Sequence, residues 1–233
     1  VITDLDFDLI RQLSQDGPEW KLIYTHNKTG SVELASSCYI MMDYNFIVGD
    51  NLPSILKNRP FTKIVCYFPY DAPDCYETLK SLEHCYKAEK ILEEVKLVNY
   101  LPPDTTATRK YATGYEVFKY KLGNPKFINY RMFNLQFSDI IDPKDTSCIL
   151  GFARDCKYNE DLPQKHTLGS IYAAYIFKQM GTKLTRFTQI TSMNMGGAMK
   201  GFNNAIFRKF LKNMFITRCK NMRDDLMNGL QER

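Results

Sequence analysis

The sequence predicts a single α+β domain, residues 1–233, in which an antiparallel sheet curls around a long C-terminal helix. From about residue 93, strand-like segments follow one another for about a hundred residues, joined by connections rich in Pro, Gly, Asp and Asn. The last of them, Thr182–Met193, runs into Gly196-Gly197 and then into about thirty residues with helical spacing. No internal repeat, low-complexity segment or linker divides the chain, which favours one domain.

The chain is predicted to begin with a short amphipathic helix. Thr3 is a suitable N-cap for a helix over about Asp4–Gln15, and Asp16-Gly17-Pro18 ends it. The apolar residues expected on its buried side are Leu5, Leu9, Ile10 and Leu13.

A hairpin and a third strand are predicted next. Trp20–His26 and Ser31–Ala35 alternate on either side of a turn at Asn27–Gly30. We expect residues 40–60 to form an irregular excursion before a strand at Thr62–Phe68.

A second helix is predicted over Asp71–Lys90, where Tyr76, Leu79 and Leu82 recur at helical spacing and Asp74 suits the cap. The strands predicted after it are 93–100, 113–122, 127–138, 147–154, 170–180 and 182–193.

Composition bounds the class of protein. No run approaches the roughly 18 apolar residues of a membrane-spanning helix. The seven cysteines are odd in number and form no CxxC pair, which favours buried free thiols in a reducing compartment over a disulfide framework. Because the chain starts at Val1, we expect a fragment of a longer, cytoplasmic or peripheral membrane protein, with any targeting segment upstream.

No known catalytic motif is present. The three histidines are scattered without metal-ligand spacing, and GxSxG, HExxH and phosphate-binding glycine loops are absent. We therefore predict no catalytic residue, no metal and no cofactor. Gly196-Gly197 has two interpretations, an anion site at a helix N-terminus or a turn that needs backbone freedom, and the turn is favoured.

The C-terminal quarter has the most informative charge pattern. The 62 residues from Leu162 to Arg223 contain no Asp or Glu but eleven Lys or Arg, which favours contact with an anionic surface. Within it, Phe202, Ile206 and Phe210 recur every fourth residue, beside a second apolar row. Basic residues on the rest of this helix include Arg208, Lys209 and Lys212.

Two interpretations of this helix are open. It is either a core helix with a solvated basic face, or a lid whose apolar face lines a lipid-sized cavity while its basic face meets anionic headgroups. A strand, a glycine break and a long terminal helix are typical of the closing half of a helix-grip fold.

One predicted strand carries an arginine in an apolar row. Arg131, Phe133, Leu135 and Phe137 fall on one face by alternation. A buried arginine requires a partner, which in a ligand cavity is a phosphate or a carboxylate. The alternative is an arginine near the strand end that reaches solvent.

Four segments resemble those of the START domain, the lipid-binding helix-grip module of lipid-transfer proteins. Tyr86–Ile91 is similar to its Tyr-Arg-x-x-Trp-Asp motif, and Tyr130–Phe133 to its Arg-Asp-Phe motif. Asp161–Gly169 resembles the loop beside the cavity mouth, and Thr182–Gly197 the last strand with its Asp-x-x-Gly ending. The resemblance extends from the Trp20 strand to about residue 225 and implies a non-enzymatic fold that encloses a lipid.

Residue-by-residue comparison with the family pattern favours its phosphatidylcholine and phospholipid-transfer branch over its sterol-binding members. Lys87 matches a headgroup-holding arginine of that branch, although Ile91 and Met132 replace its aspartates. The acid and arginine that sterol-binding members place in the cavity correspond to Phe118 and Phe137, both apolar here.

The predicted function is phospholipid binding and intermembrane transfer by a monomer. Lys87 and Arg131 are expected to contact the headgroup, and Arg208, Lys209 and Lys212 to contact transiently an anionic membrane. The residues expected to line the apolar part of the cavity are Phe118, Phe133, Leu135, Phe137, Phe202, Ile206 and Phe210. The 155–169 loop and the terminal helix would form the gate.

Other classes stay open. They are a cyclase-type helix-grip enzyme, which requires paired titratable groups facing the cavity, a sterol or fatty-acid binder, and, less favoured, a nucleic-acid-binding domain. We expect no nucleic-acid partner.

Overall fold

The structure is a computed structural model of the 233-residue chain. It describes residues 4–18, 20–26, 36–41, 61–80, 92–101, 113–120, 130–156, 166–194, 196, 213, 216–217, 224 and 227–231, with the backbone only for 26, 36, 38, 40, 41, 92–101 and 113–120.

The described elements are two helices, ten strands and a helical C-terminal segment. In chain order they are α1 (Asp4–Ser14), β1 (Lys21–His26), β2 (Ser36–Met41), β3 (Phe61–Phe68), α2 (Ala72–Lys80), β4 (Leu92–Leu101), β5 (Thr113–Tyr120), β6 (Tyr130–Ile141), β7 (Cys148–Asp155), β8 (His166–Leu168), β9 (Ser170–Gly181) and β10 (Leu184–Asn194). The described positions after residue 212 are all helical, ending with 227–231.

The ten described strands belong to one sheet, in which nine follow the order β1-β2-β3-β10-β9-β7-β6-β5-β4 and β8 lies off this path. Each pair along this path is antiparallel, whereas β8 lies beside β6 in parallel. The sheet curls into a half-barrel, which confirms the predicted α+β helix-grip class.

Several predicted boundaries need correction. The partner of β1 is Ser36–Met41, not 31–35, because His26 pairs with Ser36. The last strand begins at Leu184 after a turn in which Lys183 has a φ of 51°. The sequence did not predict β8. This short strand pairs with the first residues of β6, Tyr130–Met132, whereas β7 pairs with β6 only from Leu135 onward.

The outer face of the sheet, defined as the face that packs on α1, has its own hydrophobic core. Phe7, Ile10 and Leu13 of α1 pack with Phe152 and Tyr172 of the sheet. Leu5, expected on the buried side, is 75% exposed because it lies at the edge of the buried face of α1.

The inner face, defined as the face on which α2 and residues 227–231 pack, holds two further clusters. In the first, Tyr76 of α2 and Leu230 pack with Phe177 and Phe187. The second cluster consists of strand residues and lies beside it. No helix in the described parts of the chain is long and apolar enough to cross a membrane.

A single glutamine side chain fixes the start of α2. Gln179 Oε1 accepts from Ala72 N at 2.7 Å, and its Nε2 donates to Asp71 Oδ1 at 2.9 Å. Asp74, the predicted cap, lies inside the first turn instead. Because Gln179 belongs to β9, these bonds hold α2 against the sheet.

Candidate functional site

The inner row of β6 contains the four residues predicted to face a cavity. Arg131, Phe133, Leu135 and Phe137 are all buried and alternate with residues of the outer face. Asp139 continues the same row. The structure therefore brings the predicted apolar row and its arginine together on one wall.

Phe133, Leu135 and Phe137 form one apolar cluster on this wall. Their neighbours across β7 and β9 are small or aliphatic: Ala153, Ile171 and Ala173, with Tyr175 and Met193 packed at the edge. Among the described residues, all members of this cluster belong to strands. The wall is thus apolar and buried.

Small side chains cross the inner face in a straight row. Thr62, Thr191, Ala173, Ala153 and Phe137 are successive Cα partners on β3, β10, β9, β7 and β6. We call the first four of these residues, which precede Phe137, the small-residue row. Its members lie in four separate stretches of sequence, so no local pattern reveals it.

Arg131 is only 2% exposed, so the interpretation that it reaches solvent is wrong. Its Nη1 donates to the carbonyl oxygen of Tyr130 at 3.3 Å. Burial lowers the pKa of the guanidinium, because desolvation disfavours the charged form. A contact between Arg131 and a ligand phosphate remains a prediction.

Three polar side chains meet at the other end of the β6 row. Asp139 Oδ2 accepts from the Tyr76 hydroxyl at 2.6 Å and lies 3.5 Å from Lys80 Nζ. The Lys80 ammonium also lies 4.4 Å from the centre of the Phe137 ring. A Cβ at Gly151 would be 2.7 Å from Asp139 Oδ1, so glycine leaves the room that this carboxylate occupies.

Sequence reasoning missed this cluster and found no pair of titratable groups facing the cavity. A signal existed in the periodicity, since Asp139 extends the Arg131–Phe137 alternation by one step. Tyr76 and Lys80 lie one helical turn apart, but nothing local indicates that they meet β6. The carboxylate is bonded to both partners, which fits a buried tie between α2 and the sheet better than a free catalytic base.

Two glycines allow close contacts between β6, β8 and the end of β10. A Cβ at Gly169 would overlap the Phe133 ring, and one at Gly196 would overlap the carbonyl oxygen of Leu168. Gly196 has a φ of 67°, and its N–H donates to Asn194 Oδ1 at 2.9 Å. At Gly196 these contacts agree with a turn that requires backbone freedom, and Gly197 lies outside the described residues.

The remaining predicted site residues divide into two groups. Phe118 is the Cα partner of Phe133 on β5, and its side chain is outside the described residues. The residues of the second group lie wholly outside the described part of the chain: Lys87, Phe202, Ile206, Arg208, Lys209, Phe210 and Lys212.

The four cysteines whose side chains the structure describes, which include Cys156, are free thiols. Cys66, Cys75 and Cys148 are buried, and burial raises the pKa of Cys75 and of Cys148 to about 12. These thiols therefore stay protonated at neutral pH and are poor nucleophiles. Among the described residues, no group of His, Cys, Asp or Glu has the arrangement of a metal site.

Comparison with solved structures identifies the fold. The chain is similar to human STARD10, with a TM-score of 0.71 and 13% identity over 97% of this chain and 80% of that one. Human StAR-related lipid transfer protein 5 gives 0.69 and 10% over 97% and 94%. A STAR-related lipid transfer protein fragment from Xanthomonas axonopodis gives 0.60 and 10% over 92% and 99%.

These neighbours share the START-domain fold with this chain, at identities that are informative about the fold alone. No family model and no curated protein matches the sequence.

Proposed function

We propose that this chain binds one lipid against the inner face of its sheet and transfers it between membranes. The observation that carries the proposal is the buried apolar wall of Phe133, Leu135 and Phe137, with the charge of Arg131 at one end. The fold is shared with human StAR-related lipid transfer protein 5. Each CH₂ of an acyl chain costs about 0.8 kcal/mol in water. An apolar enclosure removes most of this cost and so speeds exchange between bilayers.

The proposed ligand is a phospholipid. A phosphate forms strong charge-assisted hydrogen bonds with a guanidinium, and Arg131 stands on the same row as the apolar wall. Lys87 is the second proposed headgroup contact. Phe118, Phe202, Ile206 and Phe210 are proposed to complete the apolar lining.

Membrane contact is proposed for the basic tail. Each Lys or Arg near an anionic membrane surface contributes about 1 kcal/mol of attraction. The acid-free stretch 162–223 contains Arg208, Lys209 and Lys212. We expect the protein to act as a monomer that visits the membrane from the cytoplasm.

The direct test is lipid extraction from the purified protein followed by mass spectrometry, together with a vesicle-to-vesicle transfer assay. We expect about one co-purified phospholipid per chain and transfer faster than in protein-free controls. The absence of bound lipid combined with a protein-free rate of transfer would contradict the proposal. Sterol or fatty acid in place of phospholipid would retain the binding function and revise its ligand.

Charge reversal tests the membrane contact separately. Changing Arg208, Lys209 and Lys212 to Glu should slow transfer between anionic vesicles more than between neutral ones. The control is Lys21→Glu, which reverses an exposed charge outside the acid-free stretch. Equal slowing of both variants, or of both vesicle types, would make the tail an ordinary solvated surface.

A further inference from the structure

Strand β8 presents an exposed leucine at one end of the sheet. Leu168 is 49% exposed, although its Cα partner on β6, Met132, is completely buried. A large apolar side chain in water lacks the hydrophobic free energy that burial would supply. Single exposed leucines are common on protein surfaces, so the surroundings of Leu168 decide whether this one has a role.

The backbone on either side of Leu168 is fixed by close contacts. β8 pairs with the first residues of β6, and the N–H of Gly169 donates to the carbonyl oxygen of Met132 at 2.9 Å. A Cβ at Gly196 would lie only 2.1 Å from the Leu168 carbonyl oxygen, so the chain that leaves β10 passes directly against β8. The exposed side chain is therefore presented from a paired strand.

β8 also lies at one end of the apolar wall. Thr167 is the Cα partner of Arg131, the proposed headgroup contact, and a Cβ at Gly169 would overlap the Phe133 ring. Leu168 lies between these two positions in the sequence. A surface that touches Leu168 is therefore next to the end of the wall where the headgroup is proposed to bind.

The charge around β8 suits an anionic surface. β8 lies near the beginning of the acid-free stretch 162–223. The described segments in contact with it, 130–133 of β6 and 192–194 of β10, contain no Asp or Glu either. Anionic headgroups repel carboxylates, whereas an apolar side chain among neutral and basic residues can enter the membrane interface.

The other exposed apolar side chains have different surroundings. Among the described residues, the large ones are Leu5, Leu22, Leu168 and Met180. Leu5 stands among the acidic residues of α1, and Leu22 is separated from β6 by five strands in the sheet order. Met180 belongs to the acid-free stretch, but its neighbour Gln179 donates to Asp71 Oδ1 at 2.9 Å. Of these four side chains, Leu168 alone lies beside the proposed headgroup end without an acidic neighbour.

We propose that β8 is a membrane-docking element, with the Leu168 side chain inserted into the interface of an anionic bilayer. This inference rests on the proposed function and adds the surface by which the protein meets the donor and acceptor membranes. Insertion removes the leucine side chain from water. The docked bilayer then lies beside Arg131, so a lipid leaves the membrane next to its proposed headgroup contact.

Removal of the apolar side chain tests its contribution to docking. Leu168→Ser should lower the affinity for vesicles of phosphatidylcholine and phosphatidylserine about tenfold, because it loses much of the hydrophobic gain of one leucine. The transfer rate should fall with it. Because the side chain is exposed, the melting temperature and the amount of co-purified lipid per chain should stay at the parental values.

Two matched controls separate the position from the loss of an apolar side chain. Met180→Ser and Leu22→Ser remove side chains that are exposed to a similar degree, 50% and 52%. Both variants should bind the same vesicles within twofold of the parent. Equal losses of affinity in Leu168→Ser and in either control, or parental affinity in Leu168→Ser, would overturn the docking role of β8.

An added tryptophan reports insertion directly. Trp20 is the single tryptophan of the chain and is 7% exposed, so it gives a constant background. In Leu168→Trp, the added emission should shift to shorter wavelength on these vesicles and be quenched by lipids brominated along their acyl chains. Met180→Trp should show neither effect. The absence of both effects in Leu168→Trp would overturn the inference and is the result expected if Leu168 instead contacts a protein partner.

The docking role and the proposed function fail in different ways. Parental lipid transfer without quenching of Leu168→Trp would remove β8 from the membrane surface and leave lipid transfer standing. Quenching of Leu168→Trp in a protein that carries no lipid and transfers none would leave the membrane contact standing and contradict the proposed function.

Discussion

The outer and inner faces of the same sheet handle charge in different ways. On the outer face, charges are paired at the edge of α1: Arg11 donates to both oxygens of Asp142 at 3.0 and 2.6 Å. Lys63, which is completely buried, bonds Asp16 at 3.0 Å and lies over the Trp20 ring at 4.5 Å. The Arg11–Asp142 pair joins α1 to the turn after β6, and the Lys63–Asp16 pair joins the segment after α1 to β3.

The inner face has a longer apolar stretch with polar groups at its ends. Arg131 and Asp139 are eight residues apart on one β6 row, separated by three apolar residues. At about 3.3 Å per residue the two ends are roughly 26 Å apart. A face that only packs a helix does not require a buried guanidinium, so this spacing favours an amphiphilic ligand.

The comparison separates stability from binding. The outer face should contribute to the free energy of unfolding alone, whereas the inner face should contribute both to unfolding and to ligand affinity. The following predictions test that division, from the largest expected effect to the smallest.

Phe152→Ala should produce the largest loss of stability. Phe152 is 1% exposed, and its ring centre lies 4.7 Å from that of Tyr172 in the outer core. We expect a loss of about 3–5 kcal/mol in the free energy of unfolding, measured by urea titration. Affinity of the folded variant for lipid should stay at the parental value. Phe137→Ala is the inner counterpart and should lose less stability and more affinity; equal losses in both variants would remove the distinction.

Asp139→Asn should destabilise the protein by about 2–3 kcal/mol, because the buried Tyr76 hydroxyl and the partly exposed Lys80 ammonium lose their shared carboxylate. Denaturant titration measures the change. Asp142→Asn on the outer face should lose less, since its partner Arg11 keeps a second carboxylate, that of Asp8. A larger loss from Asp142→Asn would reverse the expected order of the two ion pairs.

Arg131→Met should lower phospholipid affinity by about 10- to 150-fold, as expected for one charge-assisted bond of roughly 1.5–3 kcal/mol. Binding of a neutral sterol should change less. The melting temperature of the ligand-free variant serves as the control, because a structural arginine would lower it. A fall of several degrees together with parental phospholipid affinity would assign Arg131 a purely structural role.

Asp145 should make part of the stability dependent on pH. Hydrogen bonds from Ser147 and Cys148 hold the pKa of this carboxyl well below its ordinary value. Its pKa is therefore lower in the folded than in the unfolded state, where it is about 3.9. The contribution to stability is present above pH 4 and is lost as pH falls toward the folded pKa.

The corresponding variant is Asp145→Asn, in the turn between β6 and β7. We expect a loss of about 1 kcal/mol at pH 7, because the site is partly exposed. The difference from the parent should shrink as pH is lowered from 5 to 2 in a series of urea titrations. A constant difference across this range would show that Asp145 acts through its shape rather than its charge.

Local periodicity predicted much of the fold. The helix at Asp4–Ser14 and the strand at Phe61–Phe68 lie within a residue or two of their expected bounds. Alternation also placed Phe133, Leu135 and Phe137 on one face. Periods of 3.6 and 2 residues depend only on neighbouring positions, so these features can be read along the chain.

Errors arose where distant segments decide the outcome. The second strand of the first hairpin begins at Ser36 because of its pairing with β1 and β3. β8 forms because it continues the β6 pairing beyond the end of β7. Neither segment has a strong pattern of its own, and tertiary hydrogen bonds select the structure.

The sequence by itself determined the order of the elements other than β8, the helix-grip class and the apolar row of β6, because each follows from short-range periodicity and turn chemistry. The tertiary structure decided which polar groups meet the apolar wall. Tyr76 reaches Asp139 across 63 positions of sequence, and Thr62 reaches Thr191 across 129. Such contacts depend on strand register and on the face where a helix docks, which are set when the whole sheet closes.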